Sequence, residues 1–202
     1  MKNILLLGSK SKSRQMLLNE AQIPFKLIEQ DADEAQCDWG LPLQQVVESI
    51  ALHKMKHLEL AHGKEGECAF VLTADTLSQD SHGAIHGKPK DYADAVKKIK
   101  LAQNGSRLYT AFVLDKKLFK DGKWHLEQRI NMSVQAEFLF DVPDDLIDDY
   151  LENSIGLDCS GAIAIEQYGL RYLKWVDGSY TAIVGLPIYQ VRQALTELGF
   201  FN

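Results

Sequence analysis

Asn3-Ile4-Leu5-Leu6-Leu7, Gly8-Ser9 and Arg14-Gln15-Met16-Leu17-Leu18-Asn19-Glu20-Ala21 set an apolar run, a turn and a stretch of helix-forming composition in succession. The run has the length of a buried strand, so the chain opens as strand, polar turn, helix. Outward from there, residues 23–28 read as a second strand. Residues 41–62 read as the longest helix, with Val47, Ile50, Ala51 and Leu58 on one apolar face and Lys54 on that same face. Residues 69–73 form a third buried strand that ends at Ala74-Asp75-Thr76, and Asp91 offers an N-cap to a helix beginning at Tyr92. Strands at 109–114 and 131–140 are expected to pair around the polar connection 116–129, whose turn signal is Asp121-Gly122. Pro143 opens a helix to about Glu152, residues 172–176 read as a strand, and 187–198 as a closing helix. With no internal repeat or low-complexity linker, the pattern predicts an α/β fold with a mixed sheet.

The 202 residues, 46% of them hydrophobic, suit one large domain or two small lobes. No stretch approaches the roughly 20 apolar residues of a membrane span, and no signal peptide or anchor is visible. Cys37, Cys68 and Cys159 are too far apart for a disulfide framework or a CxxC metal site, which fits a reducing, cytoplasmic setting. A net charge of −6 argues against a general nucleic-acid binder, so an anionic ligand needs a local cluster of cations.

Such a cluster stands in Gly8-Ser9-Lys10-Ser11-Lys12-Ser13-Arg14, where hydroxyls, backbone N–H groups and cations meet at a helix N-terminus, a setting suited to phosphate. It lacks the spacing of a Walker loop, and a solvated cap has the same composition. Asp31-Ala32-Asp33-Glu34 could supply oxygen ligands to magnesium or manganese, or be a solvated acidic turn. Asp75, at a strand end, could cap a turn or catalyse. Lys54 must either snorkel to the surface or meet a buried anion. Lys88 is held between Gly87 and Pro89. His53, His57 and His62 have no HExxH pattern and read as surface residues, and no GxSxG is present.

Taken in order, Leu7-Gly-Ser9-Lys-Ser11-Lys-Ser-Arg14, Asp33-Glu34, Ala51-Leu-His-Lys54, Thr73-Ala-Asp75-Thr76, Gly87-Lys88-Pro89, Tyr109-Thr110, Asp158-Cys-Ser-Gly161 and Val184-Gly-Leu-Pro187 resemble the Maf family of nucleotide pyrophosphatases. The resemblance runs from about Ile4 to Gly199 and implies a single Maf-like domain over 1–202. It implies an inosine-triphosphatase-like α/β fold, a central mixed sheet flanked by helices, the active site in a cleft, and often a homodimer. It also implies hydrolysis of a nucleoside triphosphate at the α-phosphate with Mg2+ or Mn2+. The family's catalytic positions fall on Arg14, Glu34, Lys54, Asp75 and Lys88. We assign Glu34 and Asp75 to the metal, Asp75 also as base toward water, and Arg14, Lys54 and Lys88 to the triphosphate. Ser9 and Ser11 should help bind phosphate or sugar. Ser13 stands where the pyrimidine branch usually carries a second arginine, and Glu166 where it carries glutamine. An ionised carboxylate suits guanine's donor edge, so Glu166 leans toward 7-methyl-GTP or another modified or non-standard nucleotide, whereas Ala74-Asp75-Thr76 is more similar to the pyrimidine branch. The alternatives are a dTTP/UTP pyrophosphatase of the same family and a non-catalytic nucleotide-binding regulator of cell division.

Overall fold

The computed structural model describes residues 3–202, which divide into two compact units. Among the described residues, seven strands form one mixed sheet in the order β2 (Phe25–Leu27), β1 (Leu5–Leu7), β3 (Cys68–Asp80), β5 (Ser106–Lys120), β6 (Lys123–Phe140) and β7 (Leu173–Gly178), with β4 (Ile85–His86) paired to β3.

The first unit comprises the chain up to Asp75, Ala111–Ser133 and Gly185–Asn202. Strand β1 (Leu5–Leu7) lies parallel to β2 (Phe25–Leu27) and to the first half of β3 (Cys68–Asp80), with Leu5 opposite Phe25 and Phe70. A strand flanked on both sides must be apolar, and Leu5, Leu7, Val71 and Leu72 are fully buried. Helix α1 (Lys12–Glu20) begins at Ser11, whose side chain accepts from the Arg14 N–H, and buries Leu17 and Leu18. Helix α2 (Leu43–Lys56) turns Val46, Val47, Ile50, Ala51 and Met55 inward. It stops well short of residue 62, because Leu58 leaves the helix to form a β-bridge with Gln30. The closing helix α6 (Ile188–Glu197) buries Val191, Ala194 and Leu195, and Phe200 meets Phe70 edge-on at 5.2 Å.

Strands β5 (Ser106–Lys120) and β6 (Lys123–Phe140) are longer than their apolar runs. The polar connection expected at 116–129 is itself strand, because its charges pair across the ladder. The fully buried Asp115 receives a bidentate contact from Arg129 at 2.6 and 2.7 Å, and Lys116 pairs with Glu127. Only Asp121 and Gly122 turn, at φ 51° and 76°, as a two-residue hairpin requires.

The second unit comprises Thr76–Thr110 and Val134–Val184. Here β4 (Ile85–His86) pairs antiparallel with the outer half of β3, and β7 (Leu173–Gly178) with β6. Asp91 caps α3 (Tyr92–Ala102) through the Asp94 N–H at 2.8 Å. Pro143 precedes a 3-10 turn, Asp144–Leu146, that leads into α4 (Ile147–Asn153), and α5 spans Tyr180–Val184. Phe140, Tyr150 and Tyr172 pack edge-on at 5.2 to 6.2 Å and anchor this unit's core.

Candidate active site

The turn after β1 is fixed by its own hydroxyls. Gly8 N–H bonds to Leu72 O at 2.9 Å, Ser9 Oγ accepts from the Ser11 N–H at 3.3 Å, and Ser11 caps α1. Arg14, buried at 8% exposure, donates from Nη1 to Ser9 Oγ at 3.1 Å and from Nε to Gly185 O at 2.8 Å. The first turn of α1 thus presents a guanidinium whose plane is set by two oxygens, beside helix N–H groups that favour anions. Gly185 as the anchor was not singled out from sequence beyond its place in Val184-Gly-Leu-Pro187.

Lys54 resolves the choice between snorkelling and a buried partner in favour of the partner. Its Nζ lies 2.7 Å from Asp75 Oδ1 and 2.7 Å from Glu34 Oε1. Three local devices bring these groups together. Lys54 sits on the buried face of α2, four residues after Ile50. Thr73 Oγ1 donates to Ala51 O at 2.8 Å, tying α2 to β3 two residues before Asp75. Glu34 opens a 3-10 turn, Glu34–Gln36, capped by Asp33 Oδ1 on the Ala35 N–H. Asp33 is therefore a cap, and Glu34 is the member of the acidic turn that reaches the cluster. Asp75 does not end its strand as expected. β3 continues to Asp80, because Ser78 and Gln79 find ladder partners in β4.

Asp75 Oδ2 is buried and has no hydrogen-bond partner, whereas the Glu34 side chain is 45% exposed. Among the described residues no group of three or more His, Cys, Asp or Glu gathers to cage a metal. A pair of carboxylates suits magnesium, which is commonly held by one or two carboxylates with substrate phosphates and water completing the shell. An orphaned buried carboxylate oxygen is the donor such an ion needs, so Glu34 and Asp75 fit it. Cys37, not singled out for the site from sequence, lies within the electrostatic reach of Glu34, Asp75 and Lys54; burial pushes its thiol above the ordinary range against a hydrogen bond with Ser49.

Lys88 and Glu166 belong to the second unit. Lys88 is exposed, and its carbonyl accepts from Lys98 Nζ at 3.0 Å. Glu166 is buried at 6% exposure but is not on a strand. No ladder holds residues 163–166: Ile163 N–H bonds to Ser160 O, the Ala164 N–H to the Tyr150 hydroxyl at 2.7 Å, and Glu166 O accepts from the Gly169 N–H. Of the three histidines expected along one helix, only His53 lies within α2, half-buried with its Nε2 enclosed, while His57 and His62 lie beyond its end and are exposed.

The family description "Maf-like protein" matches residues 4–198. The chain belongs to the Maf family. Its relatives include a dTTP/UTP pyrophosphatase of Acholeplasma laidlawii, 31% identical over 195 residues and covering 96% of each chain. Another, from Fusobacterium nucleatum, is 31% identical over 97% of this chain and 96% of its own. A third, from Geotalea uraniireducens, is 32% identical over 98% and 96%. Among solved structures, a HAM1 protein from Coxiella burnetii shares the fold of this Maf chain at a TM-score of 0.50 and 14% identity, over 96% of this chain and 99% of that one. No helix among the described residues is long and apolar enough to cross a membrane.

Proposed function

We propose that this chain hydrolyses a nucleoside triphosphate, dTTP or UTP, to the monophosphate and pyrophosphate. The observation that carries the reading is the Glu34–Lys54–Asp75 cluster, with a buried ammonium between two carboxylates and an unpartnered Asp75 oxygen. Asp75 Oδ2 accepts the proton of a water whose oxygen attacks the α-phosphorus. The bond from that phosphorus to the bridging oxygen breaks, and pyrophosphate leaves with the electron pair. Lys54 spends two of its three N–H donors on Asp75 and Glu34, which leaves one for a phosphate oxygen. Arg14 neutralises the triphosphate, and Ser9 and Ser11 hold Arg14 and the turn around it; Lys88 keeps the phosphate-binding role that the family resemblance gives it. A divalent ion on Glu34 and Asp75 would supply charge neutralisation at the non-bridging oxygens. Positioning and neutralisation are what phosphoryl transfer mainly requires.

The choice of base follows the alternative reading, which the names of the relatives match better. Glu166 and the single Arg14 favoured 7-methyl-GTP, yet relatives matched across nearly the whole chain are named dTTP/UTP pyrophosphatases. Incubation with dTTP, UTP, GTP and 7-methyl-GTP in magnesium or manganese, with products resolved by ion exchange, tests the proposal. Monophosphate and pyrophosphate from dTTP or UTP at the highest kcat/KM is the expected result. Release of single phosphates, or a preference for 7-methyl-GTP, overturns it.

A further inference from the structure

The segment that carries Lys88 is held almost entirely through its carbonyls. His86 O accepts from Ser160 Oγ at 2.6 Å, and Gly87 O from the Gly161 N–H at 3.0 Å. Pro89 has no N–H to offer a ladder, and beyond His86 the segment is neither strand nor helix. At Lys88 itself the hold comes from Lys98, one turn before the end of α3. Its Nζ reaches Gly87 O at 3.2 Å, Lys88 O at 3.0 Å and Asp94 Oδ2 at 2.8 Å. An ammonium has three donors, and here each has an oxygen.

An ordinary i,i+4 helix pair would use one of those donors and leave the other two to water. Lys98 differs in two respects. Its side chain is only 11% exposed, and it binds two successive peptide carbonyls. Asp94 completes the arrangement from the other side. Its Oδ2 also accepts from the Lys90 N–H at 2.9 Å, so the backbone is pinned on both sides of Pro89. The hydrogen bond from Lys98, followed by that from Lys90 N–H, holds the Asp94 carboxyl below the ordinary range.

We propose that Lys98 is a positioning residue that fixes the direction in which Lys88 leaves the backbone. Because Asp94 neutralises it, Lys98 can order the turn without drawing the triphosphate to itself. The inference rests on the reading of Lys88 as a phosphate ligand. A cation displaced by about 1 Å can cost as much as about 10²-fold in rate, so fixing its backbone has a measurable consequence.

The test is a double-mutant cycle with dTTP or UTP, whichever the wild type turns over faster, with a melting curve for every variant. Lys98→Met keeps the apolar stem and removes the donors; it should lower kcat/KM about 10- to 100-fold. Lys98→Arg, which can still donate to both carbonyls, should recover most of that loss. Combined with Lys88→Ala, Lys98→Met should cost nothing further, since there is no cation left to position. Losses that add in full, or a Lys98→Met protein that melts early but keeps its kcat/KM, overturn the positioning role and leave Lys88 untouched. A Lys88→Ala protein with unchanged kcat/KM instead removes Lys88 from the phosphate site, and the inference falls with it.

Discussion

Asp75 is asked to do two things with two oxygens. Oδ1 receives Lys54 at 2.7 Å, while Oδ2 is buried without a partner and is the atom available to water or a metal ion. Asp75→Asn keeps the shape and removes the base, so turnover should fall about 10²-fold or more. A steady-state assay reading near-normal kcat would return Asp75 to a structural role. Lys54 has a different signature. The sequence placed it on an apolar face and assigned it to the triphosphate; the structure adds that it is the counter-charge of Asp75, both side chains being 9% exposed. Removing one member of a buried pair strands the other. Lys54→Ala should therefore lose about 3 kcal/mol in a urea melt as well as activity, with the Glu34 arm adding little because that carboxylate is half exposed. The Lys54→Ala/Asp75→Asn double variant should melt closer to wild type; simple additivity of the two losses would contradict the pairing.

At the scale of elements, the segment bearing Glu166 depends on a close approach that no periodicity announces. A Cβ on Gly169 would stand 1.7 Å from Ala164 O, a backbone atom that cannot swing aside. Gly169→Ala should thus cost about 3 kcal/mol or more in thermal melts, the size reserved for a named steric or packing failure. A variant as stable as wild type would mean that this turn has room to relax. Elements whose cause is local were legible in sequence: the strand at Leu5–Leu7, the Ser11 and Asp91 regions as helix starts, and the Asp121-Gly122 turn. Those missed have distant causes. β3 runs past Asp75 because β4 offers it a partner, and β5 and β6 cover a polar stretch because Arg129 meets Asp115 across the hairpin. The same holds for the site. Residue types and their order named Glu34, Lys54 and Asp75, but the tie from Thr73 to Ala51 and the anchor of Arg14 on Gly185 join residues far apart in sequence.

For the whole molecule, net charge and local charge pull in opposite directions. The chain carries −6, and so repels a triphosphate at long range, while the first turn of α1 and the Lys54 cluster supply cations where they are needed. That division bears on what a divalent ion does for the protein. In many metal-dependent folds, clustered carboxylates repel one another until an ion arrives, and chelation costs stability. Here Glu34 and Asp75 share the Lys54 ammonium, so their repulsion is compensated from within the chain. On the proposed reading, a divalent ion would serve the reaction and not the fold. With excess chelator, hydrolysis of dTTP or UTP should disappear while the melting temperature and the far-ultraviolet circular dichroism stay where they were. Addition of magnesium or manganese should restore turnover at once, without a refolding lag. A melting temperature that falls steeply on chelation would place the ion among the supports of the fold, and undiminished hydrolysis in chelator would remove it from the reaction.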